Sequence, residues 1–337
     1  MRVLATIGFS FSAGVFLAAL LPWNGWQLYA AGGVLLLALA WLFAARKQKY
    51  FRRGLLILLP LAVSLAYFAG YDHLVRQPIE DRCGAASDFT ATVCDWPQAT
   101  ERGAKITVEL EGYHRARAVL YGEAELLAAR PGDTVTGTAQ WQSAAHFDSD
   151  DVTHFNARGV YALLYGREDV RLSAGDGDAL RWLPQRAGKA FREKVAAIWD
   201  DPRVSGFLTA ELTGDKSAMD DGDYLAMQET GLAHLFAVSG LHCAFLVTLL
   251  ALLISRRQRL LCAVTIPLLL FYMVMVGMSP SVVRACIMQI FLLIAPLFRR
   301  GSDPLTSLAA ALLVILLCNP FAAASVSLQL SFSATLG

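Results

Sequence analysis

Eight apolar runs, most of them about as long as an α-helix needs to cross a bilayer, constrain this chain more than any other feature. They are Val3–Leu21, Gln27–Ala45 and Gly54–Tyr71 in a first block, then Leu232–Ile254, Leu260–Met278, Val282–Phe298, Leu305–Cys318 and Phe321–Gly337 in a second. Backbone N–H and C=O groups inside hydrocarbon must pair within their own segment, so such runs have to be helical. Of the 337 residues, 55% are apolar and only 17% charged, which excludes an ordinary soluble enzyme. The fold class expected is a polytopic α-helical membrane protein with a small β-barrel insert of the OB type.

Charge sets the expected orientation. Arg46, Lys47, Lys49, Arg52 and Arg53 crowd the loop before the third run, and Arg256, Arg257, Arg259, Arg299 and Arg300 fill two later loops. Alternation of spans puts all three loops on one side, and basic loops stay cytoplasmic. The chain is therefore expected in the bacterial cytoplasmic (inner) membrane, multi-pass, with its N-terminus cytoplasmic and residues 72–200 extracytoplasmic. The first run is read as a retained helix rather than a signal peptide, because it is long for one and a second span follows at once. The last run stops in mid-span, and a fragment of a longer protein is expected.

Residues 72–200 hold fifteen Lys and Arg against twenty Asp and Glu, so the insert has no bulk basic charge to attract DNA. Within it, Phe89–Val93, Lys105–Leu110, Arg117–Leu120, Thr134–Gln140 and Val160–Leu164 are short, β-branched or alternating, with turn signals between them. Five such strands suit an OB barrel, with a sandwich as the rival. Cys83 and Cys94 are the only cysteines outside the apolar blocks, and in an oxidising compartment they are expected to form a disulfide. His146, Asp148, Asp150, Asp151 and His154 lack regular ligand spacing and read as a solvated loop. Arg181–Trp199 has its apolar residues on one side and its cations elsewhere, the pattern of an interfacial amphipathic helix.

Polar residues at membrane depth are costly and usually face a bundle interior or a water-filled path. They concentrate at Gly231–His242, which carries His234, Ser239, Gly240 and His242. His234 and His242 lie eight residues apart, roughly 80° around a helix, while Ser239 and His242 would be neighbours. Gly240 permits a break or a close helix approach. Asp215 precedes this segment, Arg284 stands one turn inside a later run, and Gln329, Ser331 and Ser333 line the last. Zinc needs three or four ligands, and the remaining cysteines are scattered singly, so no metal site and no catalytic residue is expected. The organisation expected is 1–71 N-terminal membrane region, 72–178 barrel domain, 179–230 interfacial and connecting helices, and 231–337 second membrane domain.

The residues Gly214-Asp215-Lys216, the run from Gly231 to His242, Ser279 with Ser281-Val282-Val283-Arg284-Ala285, Asn319-Pro320 and Leu328-Gln329-Leu330-Ser331-Phe332 closely resemble the ComEC family of competence proteins in order and spacing. The resemblance implies a membrane channel for uptake of single-stranded DNA during natural transformation. It assigns Asp215, His234, Ser239, His242 and Arg284 to the path, to which the reading of the residues adds Gly240 and Gln329. OB barrels stack bases on aromatics, for which Trp96, Tyr113 and Trp141 are candidates. Implied partners are single-stranded DNA, membrane lipid, a DNA receptor, a nuclease activity and a cytoplasmic motor, with a homo-oligomer as a further expectation. No cofactor is expected in this chain. Many relatives add a metallo-β-lactamase-like nuclease domain with a His-x-His-x-Asp motif, which this sequence lacks. The rivals are an intramembrane serine hydrolase using Ser239 and His242, and a non-catalytic membrane assembly protein.

Overall fold

A computed structural model describes residues 3–21, 26–44, 51–101, 103–113, 116–147, 150–151, 154–167, 169–214, 219–231, 240–254, 258–298 and 303–336. Helices α1 (Val3–Leu20), α2 (Trp26–Ala44) and α3 (Phe51–Tyr71) form from the first three apolar runs. Ser12 and Ser64 lie buried in the bundle, but each hydroxyl donates 2.7 Å to a carbonyl one turn back, Gly8 and Leu61 respectively. Self-satisfaction of this kind lets a polar side chain sit at depth without a cross-helix partner. A π turn (Asp72–Arg76) and the short α4 (Gln77–Glu80) continue α3 toward the barrel, pinned by Arg76, which pairs with Asp72 and with Glu80.

The barrel follows as β1 (Ala86–Val93), β2 (Gln98–Thr100), β3 (Gly103–Leu110), β4 (Arg117–Gly122) and β5 (Thr134–Ser143), the hairpin β6 (His146–Phe147) and β7 (Asp150–Asp151), α5 (His154–Ala157), β8 (Val160–Gly166) and β9 (Arg171–Ser173). Strands β1, β3, β4, β8 and β5 pair in that order, and β5 pairs back onto β1, closing five strands into a barrel. Only the β4–β8 pairing is parallel among these five. Each of the five expected strands is present and somewhat longer than its apolar core. The period-two pattern is visible in β3, where Ala104, Ile106, Val108 and Leu110 are buried. Closure leaves those five strands without a free edge.

A second compact unit, Asp178–Ser307, holds α6 (Leu183–Ile198), α7 (Pro202–Thr213), α8 (Asp221–Glu229), α9 (Gly240–Ile254), α10 (Gln258–Met275) and α11 (Pro280–Ile294). Its core is Cys243, Leu261, Cys262, Leu269, Val282, Ala285, Cys286 and Leu293. Gly188 brings α6 against the end of α10, where an added Cβ would sit 3.0 Å from the Met275 carbonyl. Leu183, Phe191 and Ile198 stay exposed along α6, in keeping with an amphipathic helix. Asp201 caps α7, accepting from the Arg203 amide, and Gly214, in the left-handed region, ends it.

Helix α12 (Pro304–Cys318), a single 3-10 turn (Pro320–Ala324) and α13 (Val326–Leu336) complete the chain. From Leu308 onward these residues pack with Met1–Gly177 as the first compact unit. The barrel, the first three helices and the chain from Leu308 onward form one body. Among the described residues, Val3–Leu20, Arg53–Glu80, Gln258–Met275 and Pro280–Phe298 are long and apolar enough to cross a membrane, with shorter apolar helices at Leu28–Ala38, Gly240–Ile254 and Pro304–Cys318. This is a polytopic α-helical membrane protein carrying a small β-barrel.

Candidate functional site

In the second unit, α9 and α11 cross where small residues meet. Gly240 opens α9 with Ala285 opposite, and an added Cβ at Gly240 would lie 3.6 Å from that of Ala285. That is ordinary van der Waals contact, so the crossing does not itself demand glycine. Beside it the sulfurs of Cys243 and Cys286 are 3.5 Å apart and buried. Their sequence neighbours, His242 on α9 and Arg284 on α11, therefore stand at the same level of the bundle. His242 is half-buried, and its Nε2 lies 3.8 Å from Glu211 Oε1 on α7. Arg284 is half-buried in an otherwise apolar helix. His242 and Arg284 thus sit on largely apolar helices, with the Glu211 carboxylate beside His242 on the mixed helix α7.

Asp215, His234 and Ser239 lie outside the described residues. Gln329 belongs to the other compact unit, where its amide donates 2.9 Å to the Ala323 carbonyl and steadies the start of α13. Ser333 bonds back to the Gln329 and Leu330 carbonyls of its own helix. Glu211 was missed in the sequence: it is one polar residue in an amphipathic helix, and nothing local marks it as a histidine's partner 31 positions on.

The barrel's aromatics separate by burial. Trp141 is 1% exposed and its indole N–H donates 3.2 Å to the Ser87 carbonyl, so it is a core residue and not the exposed stacking face expected of it. Tyr113 is half-buried, with its ring centroid 6.4 Å from that of Trp141. The Arg82 guanidinium covers both rings, 5.4 Å from Tyr113 and 6.0 Å from Trp141. These three residues, with Asp88, Thr90 and Glu111, line a surface cavity of about 300 Å³. Trp96 is half-buried in the turn after β1, its amide bonded to Asp95. Arg82 gave no sequence signal, since its ring partners are contributed by distant strands.

Cys83 and Cys94 are free thiols in the structure, which corrects the disulfide expected between them. Each bonds within its own segment, Cys83 to the Ile79 carbonyl and Cys94 to that of Thr92. Burial pushes the Cys83 thiol up to about 12 and the Cys94 thiol up to about 11, so neither is a reactive thiolate at neutral pH. Residues His146–Phe147 and Asp150–Asp151 pair antiparallel as β6 and β7. Among the described residues, no group of three or more His, Cys, Asp or Glu side chains is placed to hold a metal ion.

The family described as Competence protein matches residues 212–337. ComE operon protein 3 of Bacillus subtilis (strain 168) is 33% identical to this chain over 135 residues, a stretch covering 39% of this chain and 17% of the relative. The chain thus aligns with less than a fifth of that curated relative's length. No solved structure matches it.

Proposed function

We propose, for a chain whose residues 212–337 match the family described as Competence protein, that it is a ComEC-type competence protein and forms the membrane path for single-stranded DNA during natural transformation. The observation that carries this reading is the level of the α9–α11 crossing, where His242 and Arg284 stand on apolar helices and Glu211 faces His242 from α7. A strand bearing one negative charge per nucleotide cannot pass through lipid and needs a hydrated polar lane between helices. A few cationic groups lower the barrier for an anion without trapping it. Arg284 would hold phosphates bidentately, His242 would add a second donor, and Glu211 would limit how tightly the strand is held. Asp215, His234, Ser239 and Gly240 complete the proposed path by their place in the motif. Tyr113 and Trp96 offer aromatic surface to a strand at the barrel.

In this reading the protein lies in the cytoplasmic membrane with residues 72–200 outside. Receptor, nuclease and motor are supplied by other polypeptides or by parts of the protein beyond this chain. The rival serine hydrolase would need His242 to activate Ser239. Failure of a fluorophosphonate to label Ser239 would leave transport as the working reading.

The deciding experiment is internalisation of end-labelled duplex DNA in a deletion strain complemented with the wild-type full-length protein or with Arg284→Gln. Nuclease-protected label, surface-bound label and protein level are scored together. Transport predicts that wild type restores protected label while the inserted variant leaves label at the surface. Normal import by the deletion strain overturns the reading.

A further inference from the structure

The turn between α12 and α13 is bonded to the barrel through one side chain. Asn319 Nδ2 donates to the Asn156 carbonyl at 2.8 Å and to the Ala157 carbonyl at 3.1 Å, both on α5. Its Oδ1 accepts from the Phe321 amide at 3.0 Å and lies 3.4 Å from the Tyr161 hydroxyl on β8. The same hydroxyl is 3.3 Å from that of Tyr71 at the end of α3. Tyr71 in turn reaches the Cys318 carbonyl, and Tyr67 donates 2.7 Å to that of Leu317. Beneath this network the buried Phe321 ring packs against Phe68, Tyr71 and Tyr161, with centroids 5.1, 6.1 and 6.0 Å away. All of these residues belong to one compact unit.

Two carbonyls accept from Nδ2 and the Phe321 amide donates to Oδ1, a set that a primary amide of this length meets. An aspartate would turn acceptor against two carbonyls, and an alanine would take away the donor to the Ala157 carbonyl and the acceptor of the Phe321 amide. Pro320 fixes the direction in which the chain leaves the joint, and Gln329 ties the first turn of α13 back to Ala323.

We infer that Asn319 is a positioning residue: it locks the barrel to the α12–α13 corner so that the barrel and α13 move as one body during DNA passage. The inference rests on the transport reading for its functional half, while its mechanical half stands on the hydrogen bonds alone.

The test uses the full-length protein, in membranes and in the complemented deletion strain, as wild type, Asn319→Ala, Asn319→Asp and the pair Asn319→Cys with Ala157→Cys. Loss of these bonds should raise amide exchange across residues 154–161 about tenfold or more. Exchange at residues 104–110 in the barrel core should not change, which shows that the variant is folded. Protected DNA should fall with both single variants. Oxidising the cysteine pair should restore it, and reduction should abolish the rescue.

Unchanged exchange at residues 154–161 overturns the joint itself. Faster exchange with normal import, or a tether that forms without rescue, overturns the positioning role and leaves packing alone. If wild type imports no DNA, the transport reading fails while the exchange result still decides the joint.

Discussion

The imidazole Nε2 of His242 and the carboxylate of Glu211 lie 3.8 Å apart between α9 and α7, at 24% and 33% side-chain exposure. A pair this accessible to solvent contributes little to folding, commonly under about 1 kcal/mol. Glu211→Gln and His242→Gln should therefore leave thermal stability nearly unchanged. If the pair tunes how an anionic strand is held, each variant should nevertheless change the yield of nuclease-protected DNA. Thermal melting in detergent beside an uptake assay separates these effects, and a large loss of melting temperature would show the pair to be structural.

Burial raises both barrel thiols, Cys83 to about 12 and Cys94 to about 11, from an ordinary value of 9.0. The folded barrel disfavours both thiolates, so the sign of linkage follows: stability is full below the unfolded value and falls as pH rises from about 9 toward the folded values. At pH 8 a maleimide should modify Cys83 and Cys94 slowly in the native protein and rapidly after denaturation, without reductant. Labelling that appears only when reductant joins the denaturant would reveal a disulfide and refute the free thiols.

How much of this was legible in the sequence depends on the range of the contact. The strands were readable because β-branched alternation is local, and their boundaries extended by a few residues once cross-strand partners were in place. The apolar helices were readable for the same reason. What escaped was pairing across sequence: Arg82 with Tyr113 and Trp141, Glu211 with His242, and Asn319 with Asn156. Asn319-Pro320 stood out as a motif, but its role depends on carbonyls 163 and 162 positions earlier. Trp141 was misplaced because an aromatic in an alternating strand points inward or outward according to a register that closure of the barrel decides.

Tyr113 and Trp141 should therefore respond oppositely to truncation. Trp141 fills the barrel core and bonds Ser87, so Trp141→Ala should cost about 3–5 kcal/mol and expose the barrel to proteolysis. Tyr113→Ala removes a half-buried ring from the cavity rim and should cost about 1 kcal/mol or less. If the rim binds bases, the same change should weaken cross-linking of single-stranded oligonucleotide to the full-length protein. Limited proteolysis and photocross-linking read the two effects, and equal destabilisation would put Tyr113 in the core with Trp141.

The first body's helices approach through glycine. An added Cβ at Gly8 would lie 2.8 Å from the Ala309 carbonyl on α12, and one at Gly14 would overlap the Ser64 hydroxyl on α3. The two differ in what must yield. At Gly14 the obstacle is a side-chain oxygen already bonded to Leu61, and a rotamer change can relieve most of it. At Gly8 the obstacle is helix backbone, which retreats only if α1 and α12 separate. Close packing of small residues drives helix association in lipid, where burial of apolar surface gains nothing over lipid contact. Gly8→Leu should therefore destabilise the first body by about 1–3 kcal/mol, the usual range for overpacking, and Gly14→Ala by less. Gly240→Ala, whose Cβ would meet only ordinary contact, should be close to neutral. Thermal aggregation of the purified protein in one detergent ranks all three, and a Gly8 variant as stable as wild type would show that α1 and α12 are not held in direct contact.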